Sequence, residues 1–490
     1  MTLTDFLKAS KGLLLAPAGH GKTHTIGNCV KLCPDNSVQL ILTHTHAGIA
    51  SLRAKFKKLG ISNNKYKLET ISGFAQRLVF AYVHKDKIPK QEEKGYFDFI
   101  IKKSIDLLSL VSVQVVVKTS FQGVFVDEYQ DCTIDQHNMI MRLADLMPTH
   151  ILGDELQGIF SFAGRKVEFN KELADFERFD FLTEPWRWKL NGNCEKLGHK
   201  ILHIRERLLS NRTSYTLVHD EEAHFFVYEY NPNDNGFYYT IKQHINEIKD
   251  SSVLLITPSY WDSGTGRLRG GIIDRADMRK RMGIEHSFAL LEAIDDKSFY
   301  SVSNDVDNLL KTISRSRNKI RKIYEVLERF TFNVTELKEW IEPKGNYIKH
   351  KRGVNQKLSQ ELDNLCGAFI NNISLGNFFL LFNFFYSTLH LRPKRPELLH
   401  SLAVCMRNAV SNNKSIYDNM VDYKNRIRQM GKKVEGRCMG TTLLTKGLEF
   451  DTVVIVDAHL FSDKKNFYVA ISRACKNVVI FTESRRITLK

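Results

Sequence analysis

The stretch LLLAPAGHGKTHTI, Leu13 to Ile26, sets an apolar run directly before a glycine pair and a Gly-Lys-Thr triplet. A chain carrying it must build a buried strand, a tight loop and a helix N-terminus in immediate succession. Glycines at 19 and 21 let backbone N–H groups wrap anionic oxygens with no side chain in the way. The following helix turns the positive end of its dipole on the same spot. Lys22 is placed to reach terminal phosphates, and the Thr23 hydroxyl to ligate Mg²⁺. The stretch therefore predicts a nucleoside triphosphate site, with a plain glycine-rich turn as the alternative.

Further short runs of Val, Ile and Leu read as buried parallel strands: GLLLA (12–16), VQLILT (38–43), GVFVD (123–127) and HILGD (150–154). Helical patterns separate them, which is the alternation of a doubly wound α/β domain with ligands at the strands' carboxyl ends. A second set follows: HFFVYEY (224–230), SVLLIT (252–257), DTVVIV (451–456) and NVVIFT (477–482). The expected fold is α/β, with two P-loop NTPase-type parallel sheets flanked by helices and mainly helical insertions. The expected domains are 1–180, with a small insertion at about 79–120, then 181–268 joined by 431–490, and a helical insertion at 269–430.

Within that insertion, 304–330 has helical spacing with a basic face, and the aromatics of NFFLLFNFFY (377–386) recur at helical intervals. Those aromatics fit either the insertion's own core or a docking face for a partner. The chain's 71 Lys and Arg against 55 Asp and Glu leave a formal charge of +16, which suits a polyanion such as nucleic acid or a merely soluble basic protein. Eight scattered cysteines complete no metal site and fit free thiols in a reducing cytoplasm. No apolar stretch is long enough to span a bilayer, so no membrane partner is expected.

GVFVDEYQD (123–131) places carboxylates at a strand end. Asp127 would hold the Mg²⁺ shell, and Glu128 would orient and deprotonate an attacking water. Asp-Glu-Tyr-Gln-Asp is similar to the second motif of the UvrD/Rep-like superfamily 1A DNA helicases. The rest of that family's series follows in order: LTHTHAGIASLRAKF (42–56), ETISGFAQRL (69–78), LGDELQGIFSFAG (152–164), LTEPWRW (182–188), TTLLTKGLEFDTVVIV (441–456) and FYVAISRACKNVVIF (467–481). The opening loop matches the family's Ala-Gly-Ala-Gly-x-Gly-Lys-Thr form, so Ala16 fits the pattern.

The resemblance implies two RecA-like domains, ATP or another NTP, and Mg²⁺. It implies nucleotide contacts from Ala18, Gly19, His20, Gly21, Lys22, Thr23, His24, Trp186, Gly447 and Glu449, and metal ligation by Thr23 and Asp127. Lys22, Glu128, Gln157, Arg187 and Arg473 would carry catalysis, with Gln157 sensing the γ-phosphate and the two arginines acting as fingers. Thr43, His44, Thr70, Phe160 and Phe162 would meet single-stranded or partly duplex DNA, with 3′-to-5′ translocation as the family's polarity. A core role for the two phenylalanines is the alternative.

The chain departs from the family where base recognition and DNA grip are concerned. No glutamine stands in MTLTDFLKASKG, where one usually meets adenine, which leaves the nucleotide preference open. Ala163 replaces an arginine, Leu443 a histidine, and His44 a stacking phenylalanine. The compact insertions resemble the UvrD-like subunit of Gabija-type anti-phage systems. That likeness implies a GajA-like, OLD-family nuclease partner in a hetero-oligomer.

Overall fold

The computed structural model describes the chain except for residues 1, 90–92, 94, 160–164, 192–193, 211–212, 232, 235, 294–295, 431–433 and 490. It divides into two compact units. One comprises Met1–Tyr260, Lys433–Arg437 and Thr441–Lys490; the other comprises Trp261–Lys432 and Cys438–Gly440.

The first unit holds both parallel sheets. Six strands form the first: β1 (Lys11–Leu15), β2 (Gln39–Thr43), β3 (Tyr66–Thr70), β4 (Gly123–Val126), β5 (Thr149–Gly153) and β6 (Glu177–Phe179), in the order β3-β2-β4-β5-β1-β6. Every pairing in this sheet is parallel. Residues of β2, β4 and β5 are buried throughout, which is why they read as continuous apolar runs. The period of two then sorts the side chains. Leu14, Ile41, Phe125 and Leu152 join one core cluster, with the helix Lys22–Leu32. Leu13, Leu40, Leu42, Val124, Val126 and Ile151 join another, with the helices Ile71–Tyr82, Tyr96–Leu108, Val111–Ser120 and Ile134–Ala144.

The second sheet of this unit runs β8-β9-β10-β7, from β7 (Phe225–Glu229), β8 (Val253–Ile256), β9 (Phe450–Val456) and β10 (Ala474–Thr482), again all parallel. Helices Phe237–Glu247 and Lys464–Ile471 make the crossovers between β7 and β8 and between β9 and β10. The fold is thus the expected α/β one, two parallel sheets flanked by helices and compatible with two RecA-like domains. Strand ends differ from the expected ones by a residue or a few.

The second unit is mainly helical, with short strand pairs such as Ile341–Glu342 against Tyr347–Ile348. Its core gathers Phe299, Leu309, Ile323, Phe330, Phe369 and Leu402 among others. The basic stretch 304–330, read as having helical spacing, falls on two helices, Lys297–Thr312 and Lys319–Arg329. Ser314, Ser316 and Asn318 interrupt them, and the Ser316 hydroxyl accepts from the Asn318 N–H at 3.2 Å, a local bond that competes with the helix. Of the aromatics in 377–386, Phe378, Phe382, Phe384 and Phe385 are in the core, while Tyr386 is exposed.

Candidate active site

Parallel pairing brings the carboxyl ends of β1, β4 and β5 to one edge of the first sheet. Leu15 registers with Gly153, and Val126 with Ile151. The loop after β1, the Asp-Glu pair after β4 and the turn after β5 therefore converge. Gly19 and Gly21 have φ of +74° and +95°, a region that costs other residues strain. At Gly19 a Cβ would also lie 2.9 Å from Arg187 Cβ and 2.8 Å from the Trp188 ring. That close approach lets the Arg187 N–H donate to the Gly19 carbonyl at 2.9 Å.

Lys22 is buried and donates to the carbonyls of Ala16 (2.7 Å) and Pro17 (3.0 Å). Burial lowers its pKa, and the carboxylates of Asp154, Glu128 and Asp127 oppose that shift. His20 sits at Ala18 carbonyl distance (2.8 Å) through Nδ1, while its buried Nε2 has no hydrogen-bond partner among the described residues. Burial pushes its pKa down, and the hydrogen bond with the Ala18 carbonyl opposes that shift. The Ala18 N–H donates to the Tyr468 hydroxyl at 3.0 Å. His24 is exposed on the first turn of the helix.

The Thr23 hydroxyl donates to Asp127 at 3.3 Å. Burial raises the Asp127 pKa, and neighbouring Glu128 adds to the rise. Glu128 is held in the left-handed region at φ +56°. Burial works against its charge too, but Lys446 and Lys22 outweigh it and keep the carboxyl ionised. The Gln130 amide donates to Glu128, and its oxygen accepts from the Asp154 N–H at 2.9 Å. A divalent cation suits this donor set: two hard oxygens, one a carboxylate that burial would otherwise protonate, beside a glycine loop shaped for phosphates. Among the described residues no three His, Cys, Asp or Glu side chains cluster as a metal site, so phosphate oxygens and water would have to complete the shell.

Residues from the second half of the unit close over this edge. Arg473, fully buried, donates to the Gln157 amide oxygen at 3.0 Å and to the Val469 carbonyl at 3.0 Å. Burial lowers its pKa to about 10, and the positive charge of Arg187 adds to the effect. Arg187 pairs with Glu449 at 3.0 Å and donates to the Ser472 carbonyl. That guanidinium in turn depresses the Glu449 pKa. Trp186 is exposed beside Gly21, with Lys189 over its ring, and Gly447 has φ of +80° with open space around it. Lys446 bridges the Asp131 carboxylate and the Gln157 carbonyl.

The structure thus gathers Lys22, Thr23, Asp127, Glu128, Gln157, Arg187, Arg473, Trp186 and Glu449 around one loop. The expected DNA-facing set is gathered less. Thr43 and Thr70 register side by side at the ends of β2 and β3, but both are buried, and the Thr70 hydroxyl caps a helix by accepting from the Gly73 N–H at 2.9 Å. His44 Nε2 lies 3.3 Å from the Cys132 sulfur, and burial lowers its pKa to about 3. Phe160, Phe162 and Ala163 lie outside the described residues.

Residues 89–176 match the family model of the UvrD/REP helicase N-terminal domain. The match supports a UvrD-like superfamily 1 helicase. No curated protein compared with the chain matches it. A UvrD-like helicase domain implies ATP-dependent helicase or NTPase activity, with DNA as partner and ATP and Mg²⁺ as that family's general requirement. No helix among the described residues is long and apolar enough to cross a membrane.

Sequence reasoning assigned no part to Tyr468, Lys446, Asp154 or Arg205, although the first three lie inside quoted motifs. Arg205 lies in the helix Glu195–Leu209, outside every motif, and no pattern in the sequence marks it.

Proposed function

We propose that the chain is a DNA-stimulated nucleoside triphosphatase of UvrD-like type that translocates 3′-to-5′ along single-stranded DNA, with at most weak unwinding. The observation that carries this reading is the Arg473–Gln157 contact at 3.0 Å, because it brings a second-sheet arginine onto the turn beside Lys22 and Glu128. In the proposed division the two RecA-like domains are 1–180 and 181–268 with 431–490, and 269–430 is the insertion.

Backbone N–H groups of the loop would bind the phosphates, with Lys22 leaving its carbonyl partners for the terminal ones. Thr23 and Asp127 would hold Mg²⁺, which when bound neutralises charge building on the phosphate oxygens. Glu128, ionised and fixed by Gln130, would take the proton of the attacking water. Arg187 and Arg473 would stabilise the transferring phosphoryl group, and Gln157 would report its presence to the DNA-facing strip. Trp186 would stack on the base and Glu449 would meet the ribose.

A second reading has a specific support. Leu443 and Ala163 stand where the family places a histidine and an arginine on the DNA side, while the hydrolytic set is complete. On that basis DNA would switch on NTP consumption without a useful stroke. The compact insertions alone support the further proposal of work beside an OLD-family nuclease in anti-phage defence. Steady-state hydrolysis with and without single-stranded DNA tests the NTPase reading. Strand displacement on a 3′-tailed duplex separates motor from switch, and loss of DNA stimulation altogether would sink both.

A further inference from the structure

Asp154 is fully buried at the end of β5, and its two carboxylate oxygens have different owners. Oδ1 pairs with Arg205 at 3.1 Å and accepts from the Leu156 N–H at 3.3 Å, and Oδ2 accepts from the Gln157 amide at 2.9 Å. Its own N–H donates at 2.9 Å to Gln130, which in turn holds Glu128. Asp154 therefore touches the side chain proposed to sense the γ-phosphate and, through one intermediary, the proposed base. It is also the strongest of the negative charges acting on Lys22. A buried carboxylate with no cation of its own seeks one, and the other cation that acts on Asp154 is Lys22, the lysine proposed to serve the phosphates.

Arg205 meets that need from the second half of the unit. The helix Glu195–Leu209 packs inward through Leu197, Ile201, Ile204 and Leu208, which places Arg205 at the edge of its buried face. Its side chain is only 16% exposed. Burial disfavours the charge, yet Asp154 holds it. Its Nε has no hydrogen-bond partner among the described residues.

We infer that Arg205 is a positioning residue of the NTPase site: it occupies Asp154, and so leaves Lys22 to the phosphates and Gln157 aligned with Arg473. The inference rests on the NTPase reading above. Removing Arg205 leaves Oδ1 of Asp154 with the Leu156 N–H but no cation, so the carboxylate draws Lys22 away, which weakens nucleotide binding, and Gln157 and Gln130 loosen, which slows turnover.

The test is steady-state ATP hydrolysis by the full chain with Mg²⁺ and single-stranded DNA. Arg205→Ala is expected to raise KM for ATP about tenfold or more and to lower kcat, up to the order of 10²-fold if Gln157 is displaced by an ångström. Arg205→Lys, which still offers a cation to Asp154, recovers much of the KM. Asp154→Asn in the Arg205→Ala background also lowers KM again, since a neutral amide does not compete for Lys22. Where Arg205→Ala does not fold, Arg205→Gln keeps most of the volume and is read in the same way.

Wild-type KM and kcat in Arg205→Ala or Arg205→Gln would overturn the inference. A KM defect that Asp154→Asn leaves unchanged would do the same, because it would make Arg205 a structural residue only. If wild type hydrolyses no more ATP than Lys22→Ala, the parent reading fails and takes the inference with it.

Discussion

The amide oxygen of Gln157 accepts a hydrogen bond from the Arg473 guanidinium across 3.0 Å, joining the turn after β5 to the residue that precedes β10. Both side chains are buried, so the pair is strong only while the second sheet's edge rests on the first. Arg473→Ala is expected to lower NTP turnover roughly 10³-fold. Arg473→Lys should not restore it, because an ammonium cannot reproduce the guanidinium's fork to Gln157, Val469 and Ser472. Single-turnover hydrolysis measures this, and a loss of only a few-fold would make Arg473 a packing residue.

Lys22→Ala and Glu128→Gln should each abolish hydrolysis, but for separable reasons. In the proposed site Lys22 is the phosphate cation of the loop, so its loss should weaken nucleotide binding as well. Glu128→Gln removes the proposed base yet keeps the shape that Gln130 holds. Equilibrium binding of a fluorescent nucleotide should therefore survive in Glu128→Gln and fall in Lys22→Ala. Turnover at the wild-type rate in either variant would refute the assignment of the site.

The sheets were legible because strands buried on both faces must be apolar throughout, as VQLILT and GVFV are. The loop of the candidate site was legible for a related reason: Gly19, Gly21 and Lys22 serve a local geometry that a short motif specifies. Contacts made across the chain were less so. Tyr468 reaching the Ala18 N–H, and Arg205 reaching Asp154, depend on how two sheets meet, and no periodicity records that. The break at Ser314–Asn318 was hidden for a different reason. Buried Leu309, Ile313, Ile320 and Ile323 keep apolar spacing across it, so periodicity alone passes over the polar interruption.

The helical unit offers a test of whether its aromatics serve packing. Phe382 is fully buried, with the Phe330 ring 5.6 Å away and the Phe332 ring 6.5 Å away. Phe382→Ala should destabilise that unit by about 3–5 kcal/mol. Leu380, on the same helix but 56% exposed, should cost no more than about 0.5 kcal/mol on truncation. Denaturant melts of the two variants check the contrast.

Binding to single-stranded DNA should be strongly salt-dependent, because a chain with a formal charge of +16 gains most of its affinity by displacing counterions from phosphates. Affinity should fall on the order of 10³-fold between about 50 and 200 mM salt if several phosphates are neutralised, with little dependence on sequence. Fluorescence anisotropy over a salt series measures the slope. A flat slope would argue against phosphate contacts from the chain's basic side chains.

Asp131 supplies a prediction whose sign is fixed by its burial. Burial raises its pKa to about 6, with Glu128 adding to the rise and Lys446 opposing it. Between the ordinary carboxylate range and about pH 6 the folded chain thus holds more proton at this group than the unfolded chain does. Its stabilising contribution is full below that range and is lost as pH rises through about 6. Asparagine does not titrate, so Asp131→Asn should gain stability relative to wild type by roughly 2 kcal/mol between about pH 4.5 and pH 7. Denaturant midpoints of both proteins at the two pH values give the difference directly. A difference that does not move with pH would mean that the Lys446 pair holds Asp131 ionised throughout.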